Sequence, residues 1–142
     1  MRALLDVNVL IALHDRDHVH HLRAAQWLMD HRAHGWASCP LTQNGCLRIM
    51  AQPAYPNAQP LATLLAMLQA STAAASHAVW SDDASLLDAA QFRHAQIHSP
   101  NQLTDLYLLA LAVRHEGRLV TFDQRIPLTA VVGARAEHLV VL

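Results

Sequence analysis

The chain has 142 residues, 53% hydrophobic and 15% charged, which fits one folded domain over residues 1–142 and excludes a disordered chain. Ten basic residues, all Arg, oppose eleven acidic ones for a formal net charge of -1. A strongly basic nucleic-acid binder is thereby excluded on bulk charge, although a local Arg-lined groove is not.

Two cysteines, Cys39 and Cys46, make neither a disulfide framework nor a zinc site, and read as small buried hydrophobes in a reducing cytoplasm. No apolar stretch reaches the roughly 18 residues of a membrane span, and Asp6 interrupts the first apolar run too early for a signal peptide. A cytoplasmic protein is expected.

The opening run ALLDVNVLIAL (3–13) predicts a buried parallel strand ending near Val9, then a short helix. Residues 19–34 have the spacing of an amphipathic helix, stopped by Gly35. WASCP (36–40) reads as a short strand closed by Pro40, and 41–51 as a helix. Three prolines mark 51–60 as a loop, and the Ala/Leu-rich stretch 61–75 as a helix that serves packing or a dimer surface. HAVWSDD (77–83) predicts a strand and turn, 84–92 a short helix capped by Asp82 or Asp83, and 95–99 a very short strand. Residues 103–116 form a helix ended by Gly117, followed by strands at 118–122 and 137–142. Strands alternating with helices argue for an α/β fold with a mainly parallel sheet, and 41–75 for a two-helix excursion from it.

Three aspartates stand where apolar elements end. Asp6 interrupts LLDVNVL, and on an extended strand Asn8 shares its face. Asp123 follows the strand LVTF, and Asp105 opens the helix TDLYLLALAV, with Thr104 as its expected N-cap. Each has a bland reading: a strand-end hydrogen bond, a turn, a helix-dipole partner. Together, two strand ends and a helix start can converge on one rim of a parallel sheet. Three carboxylates there repel one another unless a cation intervenes. An all-oxygen donor set suits Mg²⁺ or Mn²⁺, ions that activate water and stabilise phosphoryl charge. Asp15 and Asp17 read as solvated loop residues.

These segments, LLDVNVLIAL, WASCPLTQNGCLRIM and QLTDLYLLALAVRHEGRLVTFDQRI in that order, resemble the PIN-domain nucleases, specifically the VapC-like toxins of bacterial toxin–antitoxin pairs. The resemblance implies a three-layer α/β/α sandwich with about five strands. It implies a Mg²⁺- or Mn²⁺-dependent endoribonuclease with RNA as substrate, a cognate antitoxin protein as partner and a homodimer as assembly. Asp6, Asp105 and Asp123 are the implied metal-binding catalytic residues, with Asn8 and Thr121 in support. Where the family has a further acid, this chain has Gln43, a neutral amide able to orient water but adding no charge.

The remaining candidates are weaker. His20 and His21, from the His18–His21 cluster, are candidates for the rim of the site, as are Asp82 and Arg125. Arg23, Arg48 and Arg125 could line a phosphate path. A protein that only binds antitoxin or RNA, weakened by Gln43, is one alternative. A haloacid dehalogenase-type phosphatase is another, opposed by Asn8 in its D-x-D position and by the lack of Lys.

Overall fold

In a computed structural model, which describes residues 1–142, five short parallel strands make one sheet in the order β3-β2-β1-β4-β5. The strands are β1 (Ala3–Leu5), β2 (Trp36–Ser38), β3 (His77–Val79), β4 (Arg118–Thr121) and β5 (Leu139–Val141). The helices are α1 (Val7–His14), α2 (His21–Asp30), α3 (Pro40–Met50), α4 (Leu61–Thr72) and α5 (Leu103–Arg114). The register runs through the centre as Leu4 beside Ala37 on one side and Leu119 on the other.

The strands alternate between two cores, as a pleat with both faces covered requires. Leu4, Ala37 and Leu119 point into one core, built with Leu106, Leu109 and Ala110 of α5 and with Phe92 and Val131. Ala3, Leu5, Trp36 and Val120 point into the other, with Leu10 of α1, Ala24 of α2, Cys46 of α3 and Leu64 of α4. This is the expected three-layer α/β/α architecture, with the helix pair α3 and α4 between β2 and β3. Both cysteines are buried and unpaired. No helix is long and apolar enough to cross a membrane.

Several expectations are corrected. The first strand stops at Leu5, not near Val9, because Asp6 caps α1: its carboxylate accepts from the Val7 N–H at 2.7 Å. Asn8 therefore sits in the first turn of a helix and does not share a strand face with Asp6. Residues 84–92 are a string of turns rather than a helix. There the Asp88 carboxylate accepts from the Ala90 N–H and from Gln91, local bonds that compete with a helical ladder. Residues 94–96 form a 3-10 turn where a strand was expected. Thr104 is not the cap of α5. Ser99 accepts from the Asn101 N–H and opens a 3-10 turn that runs into the helix.

Asp15 is not solvated: it is 5% exposed. Its carboxylate accepts from Asn57 Nδ2 at 2.9 Å, from the Asp17 N–H at 3.0 Å and from the Tyr55 hydroxyl. The proline-rich loop 51–60 is thus fastened to the end of α1.

Candidate active site

In this strand order β1 leads to β2 on one side and has β4 on the other, so a crevice opens past the carboxyl ends of β1 and β4, where parallel sheets bind ligands. Asp6 follows β1, Thr121 ends β4, Asp123 lies two residues on, and α5 presents its first turn, with Asp105, to the same rim.

Hydrogen bonds tie the two strand ends together. Thr121, fully buried, donates from Oγ1 to Asp6 Oδ2 at 2.6 Å and accepts from the Asp123 N–H at 3.0 Å. Asn8 bridges from the helix, donating to Thr121 Oγ1 and accepting from the Phe122 N–H, both at 3.4 Å. Asn8 and Thr121 therefore support the acids by fixing the backbone of β4 against α1. The Asp123 carboxylate accepts from the Arg125 N–H at 2.8 Å, which shapes the turn after β4.

The three carboxylates at this rim raise one another's cost of ionisation. Burial pushes the Asp105 carboxyl up to about 7, and the charges of Asp6 and Asp123 and a hydrogen bond with Asp123 add to the rise. Burial also raises Asp6, with hydrogen bonds from Thr121 and the Val7 N–H opposing and Asp123 adding to the shift. None of the three carboxylates has an ion-pair partner; the ion pairs of the chain involve Asp83 and Glu137. Hard oxygen donors that repel one another and lack a counter-charge fit a divalent cation. No three acidic, His or Cys side chains are drawn tightly enough to form a ready-made cage. Such a donor set fits an ion that retains much of its own water.

Asp6, Asn8, Thr104 and Asp105 line a cleft of about 330 Å³ with Arg48 and Gly45 of α3. Gly45 is what lets α3 come so close. A Cβ there would meet Val7 Cγ2 at 2.8 Å, so α3 packs its backbone against α1 beside Asp6. Arg48, one turn further along, is exposed at the cleft edge.

Gln43 is not brought to this cleft. Its Nε2 donates to Ser38 Oγ at 2.9 Å, and Ser38 also bonds His77 Nε2 at 2.8 Å. Helical spacing sets Gln43 on the side of α3 away from Leu41, Gly45 and Arg48, and its amide is directed to Ser38 rather than into the cleft. Among the rim candidates, His20 stacks on Phe122 with ring centroids 4.7 Å apart, which places it beside the Asp123 turn. His21 bonds the Ala12 carbonyl at 2.8 Å and anchors α2 to α1. Asp82 accepts from the Leu41 N–H at 3.1 Å, capping α3 in place of the missing helix at 84–92. Arg125 is exposed beside Asp123. The Ser38–Gln43–His77 network had no sequence signal, because its members lie on three separate elements.

Comparison with known proteins agrees with this architecture. Residues 3–132 match the PIN domain family. The chain is 53% identical over 142 residues to ribonuclease VapC44 of Mycobacterium tuberculosis, covering all of both chains. It is 40% identical over 134 residues to ribonuclease VapC39 of the same organism, covering 94% of this chain and 96% of that protein. Among solved structures, a VapBC2 chain from Rickettsia felis, solved with a DNA fragment from its promoter, superposes with a TM-score of 0.54. That match covers 87% of this chain and 89% of the other at 11% identity, and speaks to the fold alone.

Proposed function

The chain belongs to the PIN-domain family, and from that premise we propose that it is a metal-dependent endoribonuclease, the toxin of a toxin–antitoxin pair. The observation that carries the reading is the meeting of Asp6, Asp105 and Asp123 at the β1/β4 crevice, each without a counter-charge. The ribonuclease names of the relatives point the same way.

Asp6, Asp105 and Asp123 would hold a divalent cation, Mg²⁺ or Mn²⁺, through carboxylate oxygens. Bound there, such a cation lowers the pKa of water and offsets charge on a phosphoryl group. Thr121 and Asn8 orient Asp6 and the Asp123 turn by the bonds described above. Arg48, at the cleft edge, supplies a guanidinium suited to a substrate phosphate.

The antitoxin is read as a protein that fills the acidic cleft with a segment carrying Arg. A homodimer is supported by Leu61 and Leu65, which α4 leaves exposed while burying Leu64 and Leu68. Residues 1–142 are read as one domain because β5, beyond the family match, pairs with β4 and completes the sheet. The unpaired cysteines suit the cytoplasm.

The test is cleavage of a mixed RNA pool by purified, antitoxin-free protein in Mg²⁺ or Mn²⁺, with EDTA and Asp6→Asn as controls. Metal-dependent cleavage lost in Asp6→Asn is expected. Folded protein that cleaves nothing in either metal would leave a binding protein as the reading.

A further inference from the structure

The acidic cleft does not end at Thr104. It continues across Leu41 and Thr104, which line both spaces, into a second hollow of about 310 Å³ completed by Asp82, Leu86, Leu103 and Tyr107. Three properties set this hollow apart from an accidental surface dent. Its walls are apolar and open: Leu41 and Leu103 are 36% and 37% exposed although they flank a charged site. Tyr107 is held by packing against the core under α5, so its ring is a fixed surface rather than a mobile flap. Asp82 is anchored by the Leu41 N–H through Oδ2, and its carboxylate stands exposed at the edge of the hollow, where it can accept further bonds.

A carboxylate beside a cleft that binds a polyanion is costly unless the substrate brings donors to it. RNA brings donors on its bases and its ribose 2′-hydroxyls, not on its phosphates, and of these the bases alone also offer a flat face. An apolar wall with an aromatic ring matches the face of a base, and an oriented carboxylate matches adjacent N–H groups on its edge. Guanine offers two neighbouring donors, N1–H and N2–H, beside the O6 acceptor. The Tyr107 hydroxyl, which takes a backbone hydrogen bond from Ala84, carries a proton at neutral pH and can donate it.

We propose that this hollow is a base-reading subsite that takes a guanine next to the scissile phosphate, with Asp82 accepting from its pairing edge and Tyr107 facing its ring and O6. The inference rests on the ribonuclease reading and names what that site selects. Asp82 and Tyr107 are specificity residues; neither is part of the acidic trio.

The experiment is cleavage of a random-sequence RNA library in Mn²⁺, with both product ends sequenced, for the wild-type protein, Asp82→Asn and Tyr107→Phe. The amide introduced by Asp82→Asn retains an oxygen to cap α3, and a thermal melt checks that each variant is folded. The expected result is a guanine preference at one position flanking the cut. It should fall about tenfold in Asp82→Asn, and by less in Tyr107→Phe, while cleavage at sites lacking guanine stays within about threefold. Guanosine 5′-monophosphate should inhibit the wild-type protein better than uridine 5′-monophosphate, and Asp82→Asn should narrow that gap.

A wild-type profile without base preference, a preference unchanged in both variants, or a uniform loss of cleavage at all sites in Asp82→Asn would each overturn the subsite. These outcomes leave the nuclease reading standing. Absence of any wild-type cleavage removes that reading, and the subsite with it.

Discussion

Helix α1 carries a buried aspartate at each end, and the two have opposite fates. Asp6 caps the N-terminus and Asp15 the C-terminus, and each is 5% exposed. At Asp15, burial alone would raise the carboxyl, but hydrogen bonds from Tyr55, Asn57 and the Asp17 N–H outweigh it and hold the pKa below its ordinary value. At Asp6, burial wins over the bonds from Thr121 and the Val7 N–H, and Asp123 pushes in the same direction. The helix dipole favours the reverse, an anion at the N-terminus. Equal exposure alone thus does not distinguish structure from chemistry, since Asp6 is the more deeply desolvated of the two. The donors around the carboxylate do: Asp15 is complete in the folded chain, whereas Asp6 and its neighbours still lack a positive charge.

The sharpest way to break this contrast is to neutralise each end in turn. Asp6→Asn retains an acceptor for the cap and for Thr121 but removes the charge. RNA cleavage in Mn²⁺ should fall at least about a hundredfold, the upper loss seen when only the support of a metal ligand is removed. Asp15→Asn should leave cleavage within about threefold and lower the melting temperature. Equal losses of cleavage in the two variants would dissolve the distinction.

Tyr55→Phe isolates the complete end. It removes the hydroxyl that donates to Asp15 and leaves the ring in place. A hydrogen bond to a charged group is worth about 1.5–3 kcal/mol, so a melting temperature lower by roughly 4–10 °C is expected. Limited proteolysis should then find its first cut in 51–60, the loop that this bond fastens. An unchanged melt and cut site would show that the loop is held by other contacts.

The unfinished end should declare itself through pH. The folded Asp105 carboxyl titrates at about 7, above the ordinary value of 3.8. Between those values the folded state holds an Asp105 proton that the unfolded state releases, so the Asp105 contribution to metal-free stability should decline as pH rises from about 4 to about 7, while His14 and His77, whose pKa burial lowers, act in the opposite direction. Asp105 is half-buried and solvent moderates the slope. Melts of EDTA-treated protein across that window should show a stability difference, wild type minus Asp105→Asn, that falls as pH rises. Mn²⁺ added at pH 8 should raise the melting temperature of the wild type and not of Asp105→Asn. A difference between the two proteins that stays level or grows with pH would contradict the assigned crowding of charges.

What the sequence disclosed follows from range. The strands and α5 were legible because their signals are local runs of apolar residues, and the acidic trio because each member interrupts or opens such a run. The end of β1 at Leu5 was obscured by apolar residues that continue into α1; only the capping carboxylate of Asp6 marks the change. The helix expected at 84–92 failed because Ser85 and Asp88 satisfy nearby backbone groups themselves. The Asp15 clasp was out of reach, since Tyr55 and Asn57 lie 40 and 42 residues away and in a loop.

The smallest expected effect belongs to Gln43. By alignment of motifs it stands where an acid would complete the site; by geometry it faces the other side of α3, donating to Ser38 within reach of His77. Gln43→Ala should therefore keep cleavage within about threefold and cost about 1 kcal/mol, the value of one neutral hydrogen bond. Gln43→Glu offers the complementary probe. A carboxylate there would accept from Ser38 and favour a protonated His77, whose pKa burial now lowers. Its stability should then improve as pH falls, with no gain in cleavage at any metal concentration. A gain in cleavage from Gln43→Glu would instead mean that α3 turns this position toward Asp6 when a cation binds. The neutral amide, rather than the crowded carboxylates, would then set the limit on activity.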